Sequence, residues 1–370
     1  MTDIFTRGDE LGPAKIIYVR QPEYNLKGIL VVDNVAAGPA IGGLRMAPDV
    51  SELECARLAR AMTLKNASAG LAHGGAKSVL FGDPGMPGQD KEQLIRAFAS
   101  ALSGNTEYIF GPDMGTNETC MAWVQDEIGR AVGLPREIGG IPLDEIGATG
   151  WGISHATEVA LAHCNLTPGN IRVAIQGFGA VGMHSARYLA KKGATIIAVS
   201  DSKSTLYAPD GLDLAALIRL KKAGAALSDY ETGQHLSRDA IIDIACDVWI
   251  PAARPDVINE DNQKRLNTRL IVQGANIPLT RAAEVLLHKR GILIIPDFIA
   301  NAGGVICAAM EYRHLGQTAA FEVIKEKIRQ NTEEILNAAR AQKIAPRLAA
   351  EQVATGRVKQ AMAFKRWSIF

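Results

Sequence analysis

Between residues 170 and 300 short apolar runs recur at regular intervals: RVAIQ, TIIAVS, DVWIPA, LIVQGAN and ILIIP, with segments of helical character between them. Such alternation predicts a mostly parallel sheet with helices on both faces. Earlier in the chain, IIYVR (16–20), GILVVD (28–33), SVLF (78–81) and EYIF (107–110) read as strands. Helices are expected from Glu52 to Ser68 and over KEQLIRAFASAL. The first of these is announced by Ser51 with Glu54 three residues on, a capping-box pattern. GPAIGGLRM (38–46) reads as a glycine-rich loop, and the Gly- and Pro-rich stretch over about 130–150 as a hinge leading into the helix SHATEVALAHC. Beyond NAGGV the chain is helical almost to its end. The expected architecture is α/β with two domains: one over 1–135, completed by a returning C-terminal helix (about 340–370), and a doubly wound one over 136–339.

Composition narrows the class. A chain of 370 residues with 47% apolar and 21% charged residues suits two soluble cores. A net charge of +1 gives no electrostatic reason to expect a nucleic acid or an anionic membrane as partner. The start MTDIFTRGDELGP lacks the apolar core of a signal peptide, and no apolar run nears the ~20 residues that cross a bilayer, so a cytoplasmic protein is expected. The five cysteines, without C-x-x-C spacing, read as reduced, buried thiols. His73, His155, His163 and His184 lack metal-ligand spacing, so no metal is expected.

The most specific local signal is RVAIQGFGAVG. Gly177, Gly179 and Gly182, with Phe178, Ala180 and Val181 between them, follow a strand and open a helix. Asp201 ends the next strand, where a Rossmann dinucleotide fold places its ribose-binding acid. The helix N-terminus would hold the pyrophosphate. Asp201 favours NAD by repelling a 2′-phosphate, while Ser202, Lys203 and Ser204 leave NADP as the alternative.

Three ionisable residues stand out in the first domain. Helical spacing puts Lys65 on one stripe with Cys55, Leu58 and Met62; Lys77 follows two glycines and stands immediately before an apolar strand; Asp113 stands just past a strand end, fixed by Gly111 and Pro112. Two lysines in one cleft would depress each other's pKa. A snorkelling lysine at a helix end and a turn-forming aspartate remain the plain readings of Lys65 and Asp113.

In combination, GGLRMAPDV, MTLKNA, GGAKS, GPDMGT, ATGWG, QGFGAVG, IPAA, GANIPLT and PDFIANAGGV resemble the glutamate/leucine/phenylalanine/valine dehydrogenase family, from about Lys27 to Tyr312. The resemblance implies an N-terminal substrate domain, a Rossmann-type dinucleotide domain, and reversible NAD(P)-dependent oxidative deamination of an L-amino acid to a 2-oxo acid and ammonium in a cleft between them. It implies that Lys65 binds the substrate α-carboxylate, that Lys77 is the catalytic lysine, and that Asp113 is the proton shuttle. Thr149, Ala252, Asn276 and Asn301 match family positions near the cofactor. The resemblance further implies a homo-oligomer.

Family members that use glutamate carry a lysine in the position of Ile41 and a serine in that of Ala308. The pocket of Ile41, Gly42, Gly43, Met62, Val305 and Ala308 therefore suggests an apolar amino acid, branched, aliphatic or aromatic. Glutamate held by another cation, such as Arg45 or His73, is the alternative, and a non-catalytic nucleotide-binding regulator is a more distant one.

Overall fold

The computed structural model describes residues 8–367 and 369; the residues before them, part of the segment read above as lacking a signal peptide, lie outside the described residues. The chain divides into two compact units. One takes everything up to Leu143, Val305–Ala320 and the residues from Glu351 on; the other takes Asp144–Gly304 and Phe321–Ala350. Val305–Ala320, which the linear reading assigns to the dinucleotide domain, thus belongs to the first unit. A physical tie is Glu311, whose buried carboxylate accepts hydrogen bonds from Leu134 N (3.0 Å) and Ile141 N (2.8 Å).

The first unit is built on β1 (Lys15–Gln21), β2 (Leu26–Asn34), β3 (Ala40–Ala47), α1 (Glu52–Ser68), β4 (Gly75–Phe81), α2 (Gly88–Ala101), β5 (Tyr108–Pro112) and α3 (Glu118–Ile128). Its sheet runs β1-β2-β4-β3-β5, antiparallel at β1–β2 and β2–β4 and parallel where β3 meets β4 and β5. Leu30, Leu44, Met46 and Leu80 from the strands meet Phe98 of α2 and Phe110 of β5 in its core.

The segment GPAIGGLRM is therefore not a loop: from Ala40 onward it is the strand β3. It lies between two parallel neighbours and is covered on both faces, so it shows no polar alternation, and its glycines mimic a turn signal.

Helix α1 packs very close to this sheet. A side-chain carbon at Gly75 would come within 2.0 Å of Thr63 N. The buried stripe of α1 is accordingly made of small residues, Cys55, Ala59, Thr63 and Asn66, while Leu58, Met62 and Lys65 form a half-buried flank. That corrects the expected stripe. The capping box is also only half made: Ser51 Oγ accepts from Glu54 N, but the Glu54 carboxylate turns to Arg45.

The second unit begins with α4 (Leu143–Ile146) and α5 (Ala148–His163), followed by β6 (Arg172–Gln176), α6 (Ala180–Lys191), β7 (Thr195–Ser200), β8 (Ser204–Tyr207), α7 (Leu214–Lys222) and β9 (Gln234–Ser237). Then come β10 (Val248–Pro251), β11 (Leu270–Val272), α8 (Arg281–Lys289), β12 (Leu293–Ile295), α9 (Asp297–Ala300), α10 (Gly303–Tyr312), α11 (Gln317–Gln342) and α12 (Pro346–Ala363), the last three lying partly in the first unit. The sheet order is β12-β11-β10-β6-β7-β8-β9, with every pairing parallel except those of β8 and β9, which are antiparallel. These two short strands, STLY and QHLS, escape a periodicity reading because each has only four residues with a single aliphatic side chain, Leu206 in one and Leu236 in the other. Buried Arg347 clasps Glu284 and Gln273 and forms an ion pair with Asp297 at 2.9 Å. Of the cysteines, Cys55, Cys120 and Cys307 are buried and Cys164 and Cys246 half-buried; none is in a disulfide.

Glu311 carries the stability prediction. Glu311→Ala would leave two buried N–H groups without an acceptor and is expected to destabilise the protein by about 2–4 kcal/mol in equilibrium denaturation. Glu311→Gln keeps an acceptor and should cost less, since burial already pushes the carboxyl pKa up.

Candidate active site

Successive residues of a strand face opposite sides, so Ile41, Gly43 and Arg45 share one face of β3 while Leu44 and Met46 point into the core. On the shared face, Lys77 of β4 makes an ion pair with Oδ2 of Asp113, the residue just beyond β5. Arg45 Nε reaches the same oxygen at 3.1 Å, and its Nη1 donates to Glu54 Oε1 at 2.5 Å. The Asp113 backbone is fixed by Thr116, whose Oγ1 accepts from Asp113 N at 3.0 Å and donates to Leu44 O at 2.8 Å.

Gly43 makes room for this cluster. A side-chain carbon there would stand 2.8 Å from Asp113 Cβ and 3.0 Å from Lys77 Nζ, so any larger residue displaces the pair. On the opposite face Tyr108 OH donates to Gly42 O at 2.9 Å and lies 2.8 Å from Ser78 Oγ, tying β3, β4 and β5 together.

Electrostatics favour an ionised Asp113. Burial pushes its carboxyl pKa up, but the charge and hydrogen bond of Lys77, and then the charge of Arg45, outweigh burial and hold it below the usual carboxylate value. The Lys77 side chain is only 7% exposed and that of Asp113 23%. A cation and an anion thus meet in a largely dry site, where a proton can be taken or given at a fixed position.

The remaining candidates of the substrate group also belong to the first unit. Ile41 is 3% exposed, on the face that carries Gly43 and Arg45. Met62 and Lys65 lie on the half-buried flank of α1, Val305 is half-buried and Ala308 buried on α10. The residue whose part in the cluster was missed is Arg45, considered only as a stray cation. Its i, i+2 spacing from Gly43 would have placed it beside Asp113 had the segment been read as a strand.

In the second unit the glycines divide the work of the β6–α6 turn. Gly177 has φ +97°, and Gly182 packs so closely that a side-chain carbon would meet Gly177 O at 1.9 Å. Gly179 instead faces open space, and as the N-cap of α6 it leaves the helix end without a side-chain cap. A phosphate fits such an end. Ala180 and Gly179 are exposed and Val181 is half-buried, whereas Phe178 is buried and Ala252 abuts Gly177.

Asn301 Nδ2 donates to Asn276 Oδ1 at 2.9 Å, and the Asn301 Oδ1 atom is buried without a partner, an acceptor that a bound amide could complete. Thr149 is half-buried in the first turn of α5. Asp201 is the surprise. Its Oδ1 accepts from Lys203 N and Ser204 N, and its Oδ2 from Leu227 N and from Lys221 Nζ at 3.3 Å. The acid expected to meet a ribose is thus already engaged in holding the β7–β8 turn. Among the described residues no three His, Cys, Asp or Glu side chains converge as a metal site, and no helix is long and apolar enough to cross a membrane.

Comparison with known proteins gives a consistent result. A family model described as Glutamate/Leucine/Phenylalanine/Valine dehydrogenase matches residues 139–366, and one described as Glu/Leu/Phe/Val dehydrogenase, dimerisation domain, matches 13–130. Glutamate dehydrogenase of Aeropyrum pernix is 33% identical over 357 residues, covering 90% of this chain and 85% of its own. The catabolic NAD-specific glutamate dehydrogenase RocG of Bacillus subtilis is 33% identical over 353 residues, 90% of this chain and 83% of its own. The crystal structure of hetero-hexameric glutamate dehydrogenase from Thermus thermophilus superposes with a TM-score of 0.82 at 26% identity, covering 94% of this chain and 89% of that one.

The asymmetry between the turn glycines is testable. Gly179→Val should leave the melting temperature nearly unchanged yet weaken dinucleotide binding by more than about tenfold, the loss of one charge-assisted hydrogen bond. Gly182→Val should lower the melting temperature itself. Thermal scans and dinucleotide fluorescence titrations separate the two effects.

Proposed function

The chain belongs to the glutamate/leucine/phenylalanine/valine dehydrogenase family and is an amino-acid dehydrogenase, and from that premise we propose that it deaminates an apolar L-amino acid to the 2-oxo acid and ammonium. The observation that carries the proposal is the shared face of β3. On that face Gly43 adjoins the Lys77–Asp113 pair and Arg45 is bound to Asp113, while Ile41, two positions before Gly43, is a buried aliphatic residue that offers no charge to a substrate side chain.

In this reading Lys65 binds the α-carboxylate of the substrate and orients its Cα–H. Asp113, held ionised by Lys77 and Arg45, takes a proton from the substrate ammonium group so that the amine lone pair becomes available. Bound NAD(P) supplies the hydride acceptor. Lys77 then orients and polarises a water for attack on the imine carbon, the water giving up one proton to solvent as the C–O bond forms; Asp113 returns its proton to the nitrogen as the C–N bond breaks, and the oxygen loses its second proton to solvent as the carbonyl forms. Gly177, Gly179 and the N-terminus of α6 would hold the dinucleotide phosphates, with Asn276 and Asn301 near its carboxamide.

Two cations could in principle stand in for the lysine absent at Ile41. Arg45 is committed to Asp113 and Glu54. His73 lies against Pro39 O at 2.9 Å, and burial lowers its pKa, which disfavours the imidazolium. A substrate carboxylate placed against Ile41 and Ala308 would therefore be buried unpaired, enough to reduce glutamate turnover by roughly a thousandfold. A second reading, glutamate as substrate, is favoured by the relatives from Aeropyrum pernix and Bacillus subtilis, both glutamate dehydrogenases.

For the cofactor we propose NAD in preference to NADP. The Asp201 carboxylate supports this choice, as does the NAD-specific Bacillus relative, while Lys221 at 3.3 Å offsets part of the repulsion toward a 2′-phosphate. A homo-oligomeric assembly is supported by the match to the dimerisation domain.

The deciding assay follows NADH and NADPH oxidation with ammonium and a panel of 2-oxo acids. Turnover of 4-methyl-2-oxopentanoate, phenylpyruvate or indolepyruvate should exceed that of 2-oxoglutarate; the reverse order rejects the apolar pocket. Ile41→Lys should raise the relative kcat/KM for 2-oxoglutarate by about tenfold or more, the value of one buried charge pair. Asp113→Asn and Lys77→Ala should each lower kcat by roughly a thousandfold while dinucleotide binding persists. Near-normal turnover in either variant would refute the assigned roles.

A further inference from the structure

We propose that Arg45 is a positioning residue for the reaction: it anchors Oδ2 of Asp113, thereby aiming Oδ1 at the substrate nitrogen and keeping the carboxylate ionised over the working pH range. The inference rests on the proton-shuttle role given above to Asp113.

The geometry distinguishes the two cations on that carboxylate. Lys77 and Arg45 both converge on Oδ2, so the proton is exchanged at Oδ1, where the O–H bond forms as the substrate N–H bond breaks. Lys77 is itself called upon to polarise water and carbonyl, and its hold on Asp113 changes as the reaction proceeds. Arg45 has no such duty. Its guanidinium is a planar fork that cannot lose its proton, one arm on Asp113 and another on Glu54 in the first turn of α1. Its side chain is only 18% exposed, which limits screening by water. The fork therefore fixes the Asp113 carboxylate between a strand and a helix while Lys77 is occupied.

The charged and titratable groups around Asp113 in this unit are Lys77 of β4, Arg45 of β3, Glu54 of α1 behind Arg45, Tyr108 of β5 and Cys55 of α1. Burial pushes the thiol of Cys55 up to about 12 and raises the pKa of the Tyr108 phenol, so both stay neutral in the working range. Glu54 acts in the opposite sense to Arg45, by partly neutralising it. The sign of each substitution follows. An ionised base gives a rate that falls as pH drops through its pKa; removing a cation raises that pKa, and removing the anion behind the cation lowers it.

The experiment is the pH dependence of kcat/KM for deamination in Arg45→Gln, Arg45→Lys, Glu54→Gln and Asp113→Asn. Arg45→Gln should move the acidic limb up by about one pH unit and lower kcat at neutral pH by roughly tenfold, with KM for the amino acid within about threefold of the parent. Arg45→Lys should restore the acidic limb while leaving kcat reduced, because a point charge lacks the second arm. Glu54→Gln should move the limb the other way, and it carries the test if Arg45→Gln does not fold. An unshifted limb in Arg45→Gln, or equal shifts in Arg45→Gln and Glu54→Gln, overturns the proposal. So does a rise in KM at constant kcat, which would make Arg45 a substrate ligand. Asp113→Asn separates the failures: full activity there removes the shuttle role itself, whereas inactivity there with an unshifted limb in Arg45→Gln removes only the role of Arg45.

Discussion

The first unit depends on one electrostatic arrangement, a carboxylate largely removed from water and held by two cations on the same oxygen. An unpaired charge in that position would cost several kcal/mol. Lys77 and Arg45 offset the cost from adjacent strands, and they reach Asp113 because β3 runs parallel to both β4 and β5. The sheet order is what makes the pairing geometrically available. Moving either neighbour to another position in the sheet would separate the cations from the acid.

Close backbone approach is the second constraint, and the two units use it differently. In the first, Gly43 and Gly75 remove side chains so that an ion pair and a helix can come near the strands. In the second, Gly182 lets α6 settle onto its own turn, while Gly179 keeps the end of that helix open. Of these four, Gly179 is the one that faces empty space, and it does so at the open end of a helix, where a ligand rather than packing accounts for the missing side chain.

Much of this was legible in the sequence, for identifiable reasons. The parallel strands β6, β7, β10, β11 and β12 are short, apolar and bounded by turn residues, and a fully buried strand writes that pattern plainly. The start of helix α1 was legible because Ser51 caps it. Lys77 and Asp113 stood out as charges beside apolar strands, and the family motifs carried their proposed roles. Three features were not legible. Strand β3 was hidden by its glycines, since propensity records Gly as a breaker whatever the neighbouring chains require. The small-residue stripe of α1 was hidden because its depth comes from the proximity of Gly75 rather than from its own hydrophobicity. The engagement of Asp201 with Lys221 and Leu227 joins residues twenty and twenty-six positions away through tertiary contacts that no local pattern encodes.

The alternation along β3 links folding fidelity to chemistry. One set of residues, Leu44 and Met46, belongs to the core, and the interleaved set, Ile41, Gly43 and Arg45, belongs to the candidate site. Because a shift of one residue exchanges the two faces of a strand, a mispaired β3 would drive an arginine into the core and turn Leu44 and Met46 toward the reacting groups. Such a state would lose its apolar contacts before it could persist as a compact but inactive form. The hydrophobic core thus acts as a register check on the candidate site, because the pairing that buries Leu44 and Met46 is the one that brings Arg45 beside Asp113 and Lys77.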